Sequence, residues 1–384
     1  MTTGEAAPVA SGGTAGKLAA RARHAIAVRL EPVRFAGVRY GVRRLHEESE
    51  LAEIGLQRYH SVFRAIWQDG AEEIGAELIE LPSNILEIRR ESASTRVWKQ
   101  WTSLDDAVSL RVADDKPLTH LLLAQAGVAV PRNLEFTLDD RSAALAFLAE
   151  AGSPCVVKPG SGMGGGAAIT TGVETASELT RASRRAARFE TRLLIERQIR
   201  GHVHRFLYLD GKLLDVVRRE PPRVAGDGHS TLEDLIAAEN RRRLAARGHE
   251  GFHLLRVDLD CILTLRSAGL DLSHVPPPGS LVRVKTVTNQ NRVEDNETVH
   301  ETVHPGVVEE GARAAAAVGI RLAGVDLITT DLSHPLSETG GAVMEVNGTP
   351  GLNHHYHVAD RARATRVAVP ILSTLLDLYR AGRD

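Results

Sequence analysis

The chain has 384 residues, 43% hydrophobic and 25% charged, the balance of a soluble globular protein with room for two or three cores. A formal net charge of −2 and only 4% aromatic residues argue against a nucleic-acid binder, an anionic-membrane binder or a base-stacking platform. Two cysteines in apolar surroundings, Cys155 and Cys261, argue against a disulfide framework and make a reducing cytoplasm the expected compartment. No apolar run reaches transmembrane length, and the opening Met1 to Ala6 lacks the basic start of a secretory signal.

In chain order, residues 1–18 are small and polar and read as a disordered tail. Residues 19–112 mix helical and strand patterns and read as a small N-terminal α/β domain. An amphipathic helix is predicted from Glu48 to Trp67, and short strands over Ala76 to Leu81 and Ile85 to Ile88. No chemistry is legible in this region.

Asp114-Asp115-Lys116 opens a predicted helix from Pro117 to Ala126, with proline in the first turn and Gly127 as the stop. Arg141 to Ala151 is a second helix. Pro154 to Pro159 reads as a buried strand carrying Lys158 near its end. A glycine-rich loop follows (Gly160, Gly162, Gly164, Gly165, Gly166), then a returning strand over Ala167 to Thr171. Glycines let backbone N–H groups approach phosphate oxygens with no side chain in the way. The loop is no P-loop, since no Gly-Lys-Ser/Thr follows, and no dinucleotide fingerprint, since a strand follows rather than a helix. Lysine is scarce: of 47 basic residues only Lys17, Lys99, Lys116, Lys158, Lys212 and Lys285 are lysine. A lysine kept in an arginine-rich chain marks a use for a compact charge, of which phosphate contact is one.

Leu193 to Ile199 is an apolar strand with a charged exit. Phe206 to Leu209 and Lys212 to Val217 form a predicted hairpin around Asp210-Gly211. Helices are predicted over Thr231 to Arg243, Pro305 to Val318 and Arg361 to Tyr379. Leu322 to Ile328 and Ala342 to Val346 read as paired strands. Glu345 and Asn347 then share a face, and Asp326 can join them. Two carboxylates and an amide oxygen are hard donors suited to Mg²⁺, which takes its other contacts from water and substrate phosphates. Helices interleaved with antiparallel hairpins predict an α+β (mixed α/β) class, not a doubly wound sheet.

His300-Glu301-Thr302-Val303-His304 spells a zinc-protease motif. That motif works on a helix, and Pro305 pushes His304 away from helical geometry. A zinc metalloprotease built on His300 and His304 is therefore the remote alternative. His354-His355-Tyr356-His357 reads as a polar loop lining a substrate pocket.

In order and spacing these features resemble the ATP-grasp ligases, most similarly the ATP-grasp portions of cyanophycin synthetase and fused glutathione synthetases. The resemblance spans roughly residues 113–358. It is densest in Ile195 to Gly201, Arg219 to Gly228, Val275 to Gly279 and Met344 to Gly351. It implies an ATP-grasp fold with a central lid subdomain over 113–199 and a C-terminal subdomain with a metal hairpin over 200–384. The implied activity is an ATP- and Mg²⁺-dependent carboxylate–amine ligation of amino-acid or peptide substrates through an acyl phosphate. The resemblance further implies that Lys116 and Lys158 contact ATP phosphates, that the loop through Gly162, Gly164, Gly165 and Gly166 closes over them, and that Glu196, Gln198 and Ile199 hold adenine. Asp326, Glu345 and Asn347 would hold Mg²⁺. Arg219 and Lys285 would serve the reaction centre, and Asn289, Gly351, Asn353, His354 and His355 the substrates. An ATP-grasp kinase or a nucleotide-binding regulator are the alternatives, and a homo-oligomer is left open.

Three departures stand out. Val203 occupies the place of the acidic residue that holds ribose. Gln290 to Asp295 replaces a serine- and glycine-rich run, and Asn353 replaces an arginine. These changes predict a product other than cyanophycin.

Overall fold

The computed structural model describes residues 59–162, 166, 168–246 and 253–381. The predicted tail, residues 19–58, the start of the helix predicted from Glu48, and Gly164 and Gly165 lie outside the described residues.

A helix over residues 59–73, α1, leads into an antiparallel sheet of β1 (Glu77–Leu81), β2 (Ile85–Arg90) and β3 (Ala93–Val97). Two helices follow, α2 (Ala107–Asp114) and α3 (Lys116–Gln125). Asp106 caps α2 through Val108 and Ser109, and Asp115 caps α3 through Leu118. Each cap supplies an acceptor that the first helical turn lacks.

A four-stranded sheet comes next, in the order β4-β7-β5-β6: β4 (Asn133–Phe136), β5 (Cys155–Pro159), β6 (Thr170–Val173) and β7 (Leu193–Arg197). Helices α4 (Arg141–Glu150) and α5 (Ala176–Ala186) pack on it through Phe147, Leu179 and Ala182. A capping box starts α5, with Thr175 and Glu178 exchanging backbone bonds.

The largest sheet has five strands ordered β12-β9-β8-β13-β14. β8 (His202–Leu209) and β9 (Lys212–Arg219) form its first hairpin, turning at Asp210 and Gly211, both at positive φ as the tight turn requires. The chain then builds a ribbon of β10 (Arg223–Ala225) and β11 (Leu281–Arg283), backed by α6 (Leu232–Ala245) and α7 (Leu259–Ser267) around Val224, Ile236 and Leu265. β12 (Asn296–Thr298), α8 (Pro305–Val318), β13 (Leu322–Thr329), α9 (Leu336–Thr339) and β14 (Ala342–Asn347) complete the sheet and cover one face. α10 (Asn353–Tyr356) and α11 (Ala368–Ala381) end the described chain.

Among the described residues the N-terminal sheet closes no core of its own. Phe63, Trp67, Ile88 and Val97 share one apolar cluster with Leu207 and Leu322 of the large sheet and with Ile371, Leu372 and Leu376 of α11. Among the described residues no helix is long and apolar enough to cross a membrane.

Candidate active site

Directly opposed residues of an antiparallel pair point to the same side of the sheet. Arg205 on β8 opposes Asp326 on β13, and Asp326 opposes Glu345 on β14. Asn347 lies two residues beyond Glu345. Arg219 on β9 opposes Val203, two residues before Arg205. Period-two alternation therefore puts Arg219, Arg205, Asp326, Glu345 and Asn347 on one face. All five line a cavity of ≈ 1010 Å³. A register shift between Asp326 and Leu327 bends the hairpin at this point.

Other elements bring more charge to the cavity. Lys116 begins α3, and its backbone N–H donates to Gly160 O at 2.8 Å, tying the helix to the glycine loop. Its Nζ lies 3.3 Å from Glu345 Oε1. Lys158 on β5 is buried, with Nζ 2.8 Å from Glu196 Oε2. Asp114 Oδ1 accepts from Gly162 N at 3.1 Å and so holds the start of the loop. Gly162 and Gly166 both adopt positive φ.

The Glu345 carboxylate is held ionised. Burial pushes the Glu345 carboxyl up, and the charges of Lys116, Lys158 and Arg205 outweigh it and hold the group below the usual carboxylate range. Arg205 grips Asp326 with both Nε and Nη2, the latter at 2.8 Å from Oδ2. Asn347 Nδ2 donates to Gly324 O at 3.1 Å and lies 3.4 Å from Asp326 Oδ2. Asp326, Glu345 and Asn347 thus present two carboxylates and one amide oxygen together, a donor set that fits a hard divalent cation. Among the described residues no group of three His, Cys, Asp or Glu side chains could hold a metal ion. The third donor in this set is an amide.

Arg219 is buried. Burial, and then the nearby Arg205, push its guanidinium down to about 10. Among the described residues its Nε has no hydrogen-bond partner, and Nη2 reaches only Thr288 O at 3.5 Å. A buried donor left open to a cavity is placed to meet an anion.

Asn289, Gly351, Asn353 and His354 also line the cavity. Burial first, then Arg219 and Arg205, push His354 well below the usual histidine range, so it is neutral at pH 7. The structure does not bring Lys285 to this cavity. Its Nζ is locked 2.6 Å from Asp258 Oδ2, which also accepts from Arg185 at 2.8 Å, and all three side chains are buried. Glu196, Gln198 and Ile199 do not line the cavity either. The Glu196 carboxylate is occupied by Lys158, and Gln198 Oε1 accepts from Gly172 N at 2.8 Å. His355 is wholly buried away from it, with Nδ1 2.7 Å from Asp215 Oδ2. Val203 is likewise outside the lining.

No helix carries both histidines of the zinc motif. His300–Thr302 is a single 3₁₀ turn, α8 begins at Pro305, and His304 Nδ1 caps that helix by accepting from Gly306 N at 3.0 Å. Sequence reasoning missed Arg205 and Asp114. Arg205 precedes an apolar run, and its partner Asp326 lies 121 residues away, so no local pattern marks it.

Residues 115–205 match the family described as the carbamoyl-phosphate synthase L chain, ATP binding domain. Cyanophycin synthetase of Trichormus variabilis is 32% identical over 292 residues, covering 75% of this chain and 32% of that protein. The chain belongs to the ATP-grasp superfamily. A second ATP-grasp relative, the glutathione biosynthesis bifunctional protein of Mannheimia succiniciproducens, is 32% identical over 262 residues, covering 66% of this chain and 34% of that protein. The ATP-grasp chain thus spans about a third of the length of the curated relatives it matches. A bifunctional glutathione synthetase from Pasteurella multocida shares the fold, with a TM-score of 0.50 at 24% identity over 79% of this chain and 42% of that one.

Proposed function

We propose that this ATP-grasp protein is an ATP- and Mg²⁺-dependent carboxylate–amine ligase that joins amino-acid or peptide substrates. The observation that carries the proposal is the single sheet face bearing Arg219, Arg205, Asp326, Glu345 and Asn347, with Lys116 and Lys158 opening onto the same cavity. Relatives named for cyanophycin and glutathione synthesis, both at 32% identity, support the same chemistry.

In this reading Lys116 and Lys158 bind the ATP phosphates as point charges. The glycine loop covers them, and adenine extends past this cavity lining to the connector from Glu196 to Ile199, which holds it partly through backbone groups. Asp326, Glu345 and Asn347 hold the cation, which when bound neutralises phosphate charge. A substrate carboxylate attacks the γ-phosphorus and ADP leaves, giving an acyl phosphate. An amine then attacks the acyl carbon and phosphate leaves, giving the amide. Such a transfer depends on positioning and charge stabilisation more than on a covalent catalyst. Arg219, with an open Nε, is placed to stabilise the transferred phosphoryl group. Lys285 has no part in this scheme. The buried free thiols Cys155 and Cys261, both pushed up by burial, suit a reducing cytoplasm.

The test is ADP release from purified protein with Mg-ATP and pools of amino acids and short peptides, alone and in pairs, with products read by mass. Release that needs a pair, with a product equal to their sum less one water, supports the ligase. Release with one compound and a phosphorylated product makes it a kinase.

A further inference from the structure

The cavity wall is not uniform. Arg219, Arg242, Arg243 and Arg292 line it from β9, α6 and the segment after Asn289. Trp101, Ala107 and Leu110 line it as well, the last two one helical turn apart on α2. Arg111 also lines the cavity there, but it is tied to Asp114 at 3.3 Å.

The backbone that carries Trp101 is pinned. The chain has three tryptophans, and two of them, Trp98 and Trp101, flank one tight turn and are 40% and 43% exposed. Their backbones pair in both directions, at 3.0 and 2.9 Å. Lys99 between them takes φ 55°, a left-handed conformation that costs energy for any side-chain-bearing residue. The third tryptophan, Trp67, is fully buried and donates from Nε1 to Lys99 O at 2.7 Å, which fastens the turn to the core. Tyr59 donates to Gln100 Oε1 at 3.0 Å. Lys99 Nζ lies 4.5 Å from the Trp98 ring centroid, so Trp98 carries a cation, while Trp101 is the indole that lines the cavity.

This wall is also coupled to the catalytic hairpin. A Cβ on Gly348, the residue after Asn347, would lie 2.6 Å from Leu110 Cδ2. Leu110 is thus packed against the exit of β14, and Gly348 and Thr349 continue the same cavity lining. Whatever sits on Trp101 and Leu110 occupies the same cavity as the proposed reacting groups.

We propose that Trp101, Ala107 and Leu110 form a subsite for an apolar side chain, aromatic above all, on one of the two joined substrates. An exposed indole carried on a turn with a pinned backbone offers an apolar surface with only two side-chain torsions to order, and aromatic rings stack on it favourably. The inference rests on the ligase reading, and it makes the N-terminal segment a determinant of substrate choice.

The experiment is calorimetric titration of wild-type protein, Trp101→Ala, Trp101→Phe and Leu110→Ala. The carboxylate probes are N-acetyl-L-phenylalanine and N-acetylglycine, and the amine probes are L-phenylalaninamide and glycinamide. Each is run with and without a non-hydrolysable ATP analogue and Mg²⁺. In the wild type one phenylalanyl probe binds at least about tenfold tighter than its glycyl counterpart. Trp101→Ala brings that ratio to within about twofold and leaves glycyl affinity unchanged, while Trp101→Phe keeps most of it. Equal affinities in the wild type overturn the subsite, as does a ratio that survives both alanine variants. Absence of analogue binding overturns the ATP reading separately, because the probe ratio is still measured without nucleotide.

Discussion

At the scale of single residues, charge placement separates side chains that serve the cavity from side chains that serve the core. Glu345 is only half-buried, and three cations hold it ionised. Replacing it with alanine removes a proposed cation donor and disturbs little packing. Glu345→Ala should lower ADP formation at least ~100-fold with an unchanged circular dichroism spectrum. Substantial turnover by that variant would sink the metal assignment. Lys285 has the opposite profile. Lys285→Met leaves Asp258 with the Arg185 cation and the Cys261 N–H but one positive charge fewer in a buried site, so urea unfolding should show a loss of about 3 kcal/mol. Turnover per folded molecule should be nearly intact; a collapse of kcat in folded protein would return Lys285 to the reaction centre. His204 is buried, and desolvation, then His202 and Arg218, hold its ring down to about 3. The unfolded chain takes up that proton near pH 6.5 and the folded chain does not. Between about pH 3 and 6.5 the unfolded state therefore binds more protons, and stability rises with pH by ~1.4 kcal/mol per unit from this group, then levels off. His204→Asn should flatten that slope in unfolding curves taken from pH 4 to 7.

At the scale of elements, local punctuation decides which boundaries are readable. Pro305 and Gly319 bracket α8, and the predicted span from Pro305 to Val318 matches the observed helix. The Asp210-Gly211 hairpin is likewise legible, although β8 starts at His202, four residues earlier than predicted. The returning strand predicted from Ala167 begins only at Thr170, and the terminal helix begins at Ala368 rather than Arg361. β4, β10 and β11 carry three or four residues each and no alternation strong enough to mark them. They are strands because partners exist to pair with them, which is a tertiary fact. Gly201, at the entry to β8, has φ 132°, and a Cβ there would lie 2.3 Å from Thr329 C and O. Gly201→Ala must displace the end of β13, so thermal unfolding should report a loss of roughly 2–3 kcal/mol. An unchanged melting temperature would show that the two strands have more slack than this contact allows.

At the scale of the whole molecule, the shared apolar cluster is the governing feature. Trp67 and Ile88 from the N-terminal segment, Leu207 and Leu322 from the large sheet and Leu372 from α11 lie in one cluster. Deleting residues 368–384 strips Ile371, Leu372, Leu375 and Leu376 from this cluster. The truncated chain should fail to give a cooperative melt, where a separately folding C-terminal helix would leave the melt unchanged. The same cluster supports the turn between Trp98 and Trp101 through Trp67, which ties the N-terminal sheet to the cavity.

The sequence by itself determined which short elements carry the proposed chemistry. Asp326, Glu345 and Asn347 on paired strands, Lys116 at a helix start and Lys158 before a glycine loop are short-range patterns, and short-range patterns follow from periodicity and turn chemistry. What only the tertiary structure decided is which charges meet. Arg205 reaches Asp326 across 121 residues, Lys116 meets Glu345, and Lys285 turns inward to Asp258. A lysine proposed to meet phosphate and a lysine that closes a buried ion cluster read alike along the chain. They differ in what burial leaves open to them, because a charge taken out of water must find a partner, and the fold supplies it.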